Sequence, residues 1–501
     1  MTRIFPGYFE LLTYAAPQSV LVIAALAVLA VDLWPMRSES AGGRRLVSAA
    51  VAGMGCLVSM LCLINVTPTG RLLDGMLVAD SLTRLVMAVL LVLAACTVLL
   101  SIGRDFTKHV GEYFALLLLA TSGMMFLVST ENLLAIFLSL ELTSLSLYVL
   151  VALDKRKQQS AEAALKYFLF GGMAAAFTLF GLSLIYGLSG QLNLRMIASA
   201  VPSAPTLNPT LLLAMILTVI GFGFKVAAVP FHLWAPDAYQ GAPTPSAALI
   251  ASGSKVASFF VLAKVMLLGF AGTGGSSAWM SVTPGWVPLL AILAALSMIL
   301  GNVAAIAQSN VKRLLAYSAI AHAGYALLGV LSNNQQGIAS LLYYAITYAL
   351  TVLGAFGVVA LVEESAGDSQ LASFAGLSSR APVLSLCMMV FMLSLAGIPP
   401  FAGFFGKFYV FVAAAKAGPE SLGLLWLVIL AIAMSAVSLY YYLQVLKQVY
   451  VAEAPAVQVA PSTDRFTLGA VVFLALAVVV LGCLPELLTG RILSAFGSSG
   501  L

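Results

Sequence analysis

The chain has 501 residues, 61% of them apolar and 9% charged, with a formal net charge of +5. Ordinary soluble domains carry about 25% charged residues, so this balance excludes a soluble globular chain and predicts an all-α polytopic membrane protein. A membrane barrel would instead alternate polarity in short segments. Most of the basic residues fall in short connections, where they report topology and no nucleic-acid surface.

Fourteen apolar runs are long enough to span a bilayer at about 1.5 Å rise per residue. They lie near 13–35, 46–66, 82–103, 112–129, 132–153, 161–188, 209–236, 245–269, 285–307, 311–331, 337–362, 381–416, 421–449 and 466–488. The N-terminus carries one basic residue, Arg3, and no cleavage pattern, so the first run reads as a retained span and not a signal peptide. Connections after odd-numbered spans hold thirteen Lys and Arg residues, and those on the other side, tails included, hold six. The positive-inside rule then places the odd connections in the cytoplasm and both termini outside.

Span five carries Glu141 in its middle. An unpaired carboxylate there must take up a proton or find a cation. Span six opens with Glu162 and Lys166, four residues apart, which is either an ordinary helix pair or a proton input. Gly171, Gly172 and Gly181 in the same span predict close helix packing.

Span seven holds Lys225, and Pro230 five residues later removes a backbone donor and breaks the helix at membrane depth. His232, Trp234 and Asp237 follow, as a cytoplasmic proton intake or as an interfacial aromatic belt with a capping acid. Span eight carries Lys255 near its centre and Lys264 toward its outer end, the latter an exit residue or a snorkelling lysine. In span ten His322 sits among apolar neighbours, as a packed core residue or as a relay that titrates near physiological pH. Asn302, Ser309 and Asn310 are polar enough to hold water.

Span twelve breaks at Gly397, Pro399 and Pro400 and carries Lys407 beyond the break. Spans seven and twelve lie five helices apart, so they cross in opposite directions, the arrangement of an inverted repeat. The expected organisation is an N-terminal three-helix segment (1–110), a first five-helix repeat (111–270), a second (284–450), and a loop with a final helix (451–501). Buried ionisable residues in a membrane are kept mainly for ion or proton passage. A scaffold whose charges only lock helices is the competing reading. Five scattered cysteines without C-x-x-C spacing predict no metal or iron–sulfur site, and no nucleotide loop is present.

The strings KVAAVPFHLWAPDAYQGAPTPSAALIASGSKVA, VKRLLAYSAIAHAGYALLGVL and AGIPPFAGFFGKFYVF resemble the antiporter-like proton-translocating membrane subunits of respiratory complex I. Those subunits are similar in turn to chains of multisubunit sodium/proton antiporters and membrane-bound hydrogenases. ELTSLSLYVL and EAALKYFLFGGMAAAF look like the branch of the family called subunit N. The resemblance runs from span four to span thirteen. It implies two inverted five-helix bundles, each with a discontinuous helix, and half-channels joined by a central polar axis. It matches Glu141 and Lys225 to the family's ion pair, Lys255 and His322 to its connecting residues, and Lys407 to its terminal lysine. It also implies a non-redox translocase subunit of the bacterial inner membrane, in contact with neighbouring antiporter-like subunits and moving protons. NADH, FMN, iron–sulfur clusters and quinone would be handled by other subunits, with no cofactor in this chain. The alternative is a subunit of a sodium/proton antiporter or membrane-bound hydrogenase.

Overall fold

The computed structural model describes residues 7–201, 208–279, 281–417, 422–453 and 464–499. Arg3, one of the charges used for orientation, and residues 454–463 of the C-terminal segment lie outside the described residues. The chain is almost wholly helical. The N-terminal helices are α1 (Tyr8–Tyr14), α2 (Ala16–Leu33) and α3 (Ala41–Asn65), then a hairpin of β1 (Gly70–Leu72) and β2 (Leu77–Ala79), then α4 (Ser81–Ser101). Next come α5 (Val110–Val128), α6 (Leu133–Val151), α7 (Gln158–Ser189), α8 (Leu194–Ala200), α9 (Pro209–Val226), α10 (Trp234–Gly241), α11 (Thr244–Ala251) and α12 (Gly253–Lys264). A π-turn (Val265–Gly269) and a hairpin of β3 (Ser276–Ala278) and β4 (Ser281–Thr283) lead to α13 (Trp286–Ile306), α14 (Val311–Leu331) and α15 (Gln335–Ala366). The remainder is α16 (Leu377–Arg380), α17 (Pro382–Ala396), α18 (Ala402–Lys416), α19 (Leu425–Tyr450), α20 (Arg465–Cys483) and α21 (Glu486–Ser499).

Among the described residues, 13 helical segments are long and apolar enough to cross a membrane. They correspond to every expected span except the twelfth. That one is divided into α17 and α18, each too short to span alone by that measure. The chain is a multi-pass membrane protein. Helices α15 and α11–α12 are enclosed along their whole apolar length, whereas α7 and α19 show most of theirs to the outside. A helix apolar all round belongs in the interior, and α12 also carries two buried lysines, Lys255 and Lys264.

Two stretches of the chain repeat the same local architecture. Asn132 caps α6 through the amides of Leu134 and Ala135, and Asn310 caps α14 through the amide of Arg313. Each capping asparagine makes an isolated antiparallel bridge, Asn132 with Asn193 and Asn310 with Gln370. Both bridges follow a 32-residue helix, α7 or α15, that ends on a left-handed glycine, Gly190 or Gly367.

The two helix breaks also match. Helix α9 ends at Val226 with Ala227 left-handed (φ 56°), and the Ala228 amide donates back to Gly223 O. Helix α17 ends at Ala396 with Gly397 left-handed (φ 86°), and the Ile398 amide donates back to Leu393 O. Each is a left-handed cap that satisfies carbonyls a helix end leaves free. Pro230 and Pro400 then sit three residues past the left-handed residue, so each helix stops ahead of its proline. The residue before a proline is steered away from α geometry, and the cap takes up the turn earlier.

Glycine packing follows the expectation in part. A Cβ on Gly171 would lie 1.9 Å from the Tyr148 hydroxyl, and one on Gly181 would lie 2.8 Å from Thr218 Oγ1. Gly172 faces open space and mediates no close approach, because it points away from the packed face that Gly171 presents.

Candidate proton-transfer site

Lys225 occupies the last turn of α9, just before the first break. Its ammonium donates to Ser144 Oγ on α6 and lies 5.4 Å from the centre of the Phe224 ring and 5.9 Å from that of Tyr148. Glu141 is one turn earlier on α6 but makes no ion pair within reach of Lys225 among the described residues. It attracts the lysine through space only. The reason is the helix face. Leu134, Leu138, Leu145 and Val149 form the exposed stripe of α6, and Glu141 lies half-exposed beside it. Ser144, on the buried side, receives the hydrogen bond instead. A cavity of about 10 Å³ is lined by Lys225, Thr143, Ser144, Tyr167, Ser254 and Ser258. That is the order of room one water needs.

Lys255 is enclosed within α12 and donates to Val226 O, the carbonyl of the last residue of α9. Lys407, buried in α18, donates at 3.0 Å to Ala396 O, the last residue of α17, and at 2.9 Å to Ser435 Oγ. Each break therefore ends in a free carbonyl that carries a lysine. A helix C-terminus is the favourable place for a cation. Lys264 follows the same rule. It is fully buried and donates at 2.7 Å to Val128 O, the last residue of α5. It does not snorkel.

His322 is held at both ring nitrogens, by the Tyr344 hydroxyl at 2.6 Å and the Tyr442 hydroxyl at 3.0 Å. Tyr442 shares a 2.5 Å hydrogen bond with Ser318. Beside it, Asn302 donates to the Tyr325 hydroxyl at 3.0 Å and accepts from Tyr441 at 2.9 Å. The Tyr325 ring lies 5.2 Å from the Lys407 ammonium and packs edge-on against His322. The hydroxyls of Tyr148, Tyr239 and Tyr348 are buried without a protein partner. Buried polar atoms of that kind call for water. Lys255 and Lys407 both act on His322 through space, so these buried groups lie in one interior region.

On the loop side of α7, Lys166 pairs with Glu162 at 2.6 Å and with Asp237 at 2.8 Å. Asp237 also accepts from Arg313 at 2.6 Å. A cavity of about 160 Å³ opens there, lined by Gln159, Glu162, Asp237 and Gln240. His232 is buried nearby in sequence, with Nδ1 unpartnered, but it does not join this ion network.

Two groups had no sequence signal as sites. Lys312, counted as a loop charge, is buried and donates to Glu363 at 3.2 Å, while Thr244 donates to the same carboxylate and Lys157 lies 3.4 Å from it. Glu131, between α5 and α6, is fully buried against Arg195 at 3.0 Å and Arg71 at 3.4 Å. Burial alone would raise the Glu131 carboxyl, but the Arg195 hydrogen bond and the charges of Lys264, Arg195 and Arg71 outweigh it and hold it below the usual carboxylate range. Both acids lie at helix ends, where sequence reads them as solvated.

Residues 130–435 match the family described as NADH:quinone oxidoreductase/Mrp antiporter, TM. The chain is 54% identical over 493 residues to NADH-quinone oxidoreductase subunit N 2 of Acidobacterium capsulatum, covering 96% of this chain and 98% of that one. It is 36% identical to NADH-quinone oxidoreductase subunit N of Nitrosomonas europaea, covering 97% of this chain and 98% of that one. Among solved structures it resembles a chain of respiratory complex I from Thermus thermophilus with bound aureothin, at 34% identity and a TM-score of 0.77, covering 95% of this chain and 98% of that chain. The chain therefore belongs to the NADH:quinone oxidoreductase/Mrp antiporter transmembrane family, as an antiporter-like chain of the complex I subunit N kind.

Proposed function

We propose that this chain is the proton-translocating, non-redox subunit N of a bacterial NADH–quinone oxidoreductase. It lies in the inner membrane with both termini on the periplasmic side. NADH, FMN, iron–sulfur clusters and quinone belong to other subunits. The observation that carries the reading is the set of buried groups Lys225, Lys255, His322 and Lys407, in which the two helix breaks supply the carbonyl acceptors of Lys255 and Lys407. Buried amines at such depth are costly, and a static scaffold needs none of them. The matched caps, bridges and breaks of 111–270 and 284–450 support reading these segments as two inverted five-helix repeats.

In this reading Glu162, Lys166 and Asp237, beside their cavity, receive protons from the cytoplasm, and His232 lies between that intake and the first break. Lys225 loads next. Glu141 controls its occupancy from the outer face of α6, where a carboxylate facing bare lipid would be untenable. A neighbouring membrane subunit therefore covers it. Two unit charges about 10 Å apart at an effective dielectric near 20 interact by roughly 1.7 kcal/mol. That is enough to change the occupancy of Lys225 more than about tenfold when a charge on the neighbour moves. Lys255, His322 and Lys407 carry the response along the axis.

The test is Lys225→Met and Lys407→Met in the assembled complex, reconstituted in proteoliposomes. Each is expected to lower proton translocation by about tenfold or more while the complex still assembles. Unchanged translocation in both leaves only the scaffold. Sodium-22 uptake by the chain alone under a pH gradient would instead favour the antiporter reading.

A further inference from the structure

Three buried lysines sit on the terminal carbonyl of a helix. Lys255 and Lys407 do so at the two breaks, inside the axis already described. Lys264 does so at the end of α5, outside that axis, on the side the positive-inside count assigns to the periplasm. It immediately precedes the π-turn Val265–Gly269, a departure from α geometry that is frequent at functional sites. Its other polar contact is Thr83 Oγ1 at 3.3 Å, and the Phe260 ring centre is 4.7 Å away.

The charges bearing on Lys264 come from four places in the chain. Asp80 stands at the start of α4, Glu131 in the turn after α5, and Arg71 and Arg195 on β1 and α8 oppose the two acids. Glu131 is committed to Arg195 and Arg71 and stays ionised, so it fixes the local field and carries no proton. Asp80 differs. Its Oδ1 caps α4 through the Thr83 amide at 2.7 Å, while its Oδ2 is buried without any partner. The carboxylate is itself more than nine-tenths buried.

This cluster shares a wall with the Lys225 cavity. Leu127 and Ala257 both line that cavity. Leu127 precedes Val128, whose carbonyl holds Lys264. From Ala257, Val261 and Lys264 follow at steps of four and three on one helix face, so Lys264 lies about 10 Å farther along α12.

We propose that Lys264 and Asp80 form an outward proton-release station for the first repeat, and that the N-terminal helices exist in part to complete it. This rests on the proton-translocating reading above. The two groups lie beyond direct ion-pair distance, so a water between them takes a proton from the Lys264 ammonium, breaking an N–H bond, as it hands one of its own to Asp80 Oδ2, forming an O–H bond. The carboxylic acid then loses that proton to outside water. The Lys264 amine regains one from Lys225, whose cavity is walled by Leu127 and Ala257 on the side toward Lys264, and Thr83 keeps the two partners in register.

The experiment uses the whole complex in proteoliposomes with Asp80→Asn, Lys264→Met and Lys225→Met. Asparagine preserves the α4 cap, so Asp80→Asn removes the proton acceptor and little else. Asp80→Asn and Lys264→Met are each expected to lower the initial rate of proton translocation by about tenfold or more relative to uncoupled NADH oxidation. The fall in translocation expected of the parent complex as the outer medium is acidified should flatten in Asp80→Asn. Unchanged translocation in both variants, with translocation lost in Lys225→Met, overturns the release station and leaves the proposed function standing. Unchanged translocation in all three overturns both. Failure of both outer variants to assemble makes the cluster a structural latch and overturns the station.

Discussion

The first and second breaks are built alike but hold their lysines differently. Lys225 comes before its break and rests on a hydroxyl of a neighbouring helix, with Glu141 a turn away on an outward stripe. Lys407 comes after its break and rests on the carbonyl that ends its own first half, with Ser435 as second acceptor and no carboxylate in contact among the described residues. His322 stands at the step from Asn310 that Ser144 occupies from Asn132. One half therefore places a half-exposed carboxylate a turn from its lysine's hydroxyl partner, the group that the proposed function lets a neighbouring chain address. The other couples its lysine to an interior histidine and its tyrosines. In the proposed function, the two similar breaks serve as a receiving end and a terminal end.

The comparison can be broken at three places. The largest effect is expected at the Glu131 cluster, at the outer end of the first half. Glu131→Gln leaves Arg195 and Arg71 without their shared partner and should destabilise the chain by about 3 kcal/mol, near the low end for a buried pair because both arginines reach solvent. The Glu131 carboxyl is depressed in the folded chain. Its contribution is thus fully present above the ordinary carboxylate range and lost as pH falls through the lower folded value. Thermal unfolding of the detergent-solubilised complex should show the gap between parent and variant at neutral pH and its closure on strong acidification. A gap that persists in acid means that lost packing, and not charge, is responsible.

Next comes the second break. A Cβ on Gly403 would meet Ser394 O at 1.9 Å, because the start of α18 lies against the end of α17. The residue three past the left-handed Ala227 is Pro230, as Pro400 is past Gly397, and by the same register Leu233 stands where Gly403 does; it is exposed. Gly403→Ala should therefore cost about 2–3 kcal/mol through overpacking, and Leu233→Ala well under about 1 kcal/mol. Equal losses in thermal stability would show that the two breaks carry the same packing constraint after all.

How much of this was legible beforehand divides by physical cause. Span positions, both breaks and the buried lysines follow from apolar runs, prolines and charges, which leave direct marks in sequence. The acceptors do not. Val226, Ala396 and Val128 act through their carbonyls, so their side chains give no signal. Ser144 and Ser435 look like any serine in a membrane helix. The expected Glu141–Lys225 pair is resolved only by the face of α6, since the two candidate partners are a single turn apart. Glu131 and Glu363 sit at helix ends, where acids are ordinarily solvated. Lys312 entered as one loop charge among many and proves buried.

The smallest effect tests the acceptors themselves. Ser144→Ala removes the one hydrogen-bond partner that Lys225 has among the described residues, whereas Ser435→Ala leaves Lys407 its Ala396 carbonyl. A hydrogen bond to a charged group contributes about 1.5–3 kcal/mol, and a hydroxyl is replaced in part by water where a cavity admits one. The Lys225 cavity has about that much room. Proton translocation by the assembled complex should then fall about tenfold in Ser144→Ala and about threefold or less in Ser435→Ala. If Ser435→Ala proves the more damaging, the carbonyl is not the principal seat of Lys407. The terminal lysine would then depend, like the receiving one, on a side chain from a neighbouring helix, and the asymmetry between the two halves would have to rest on Glu141 and His322 alone.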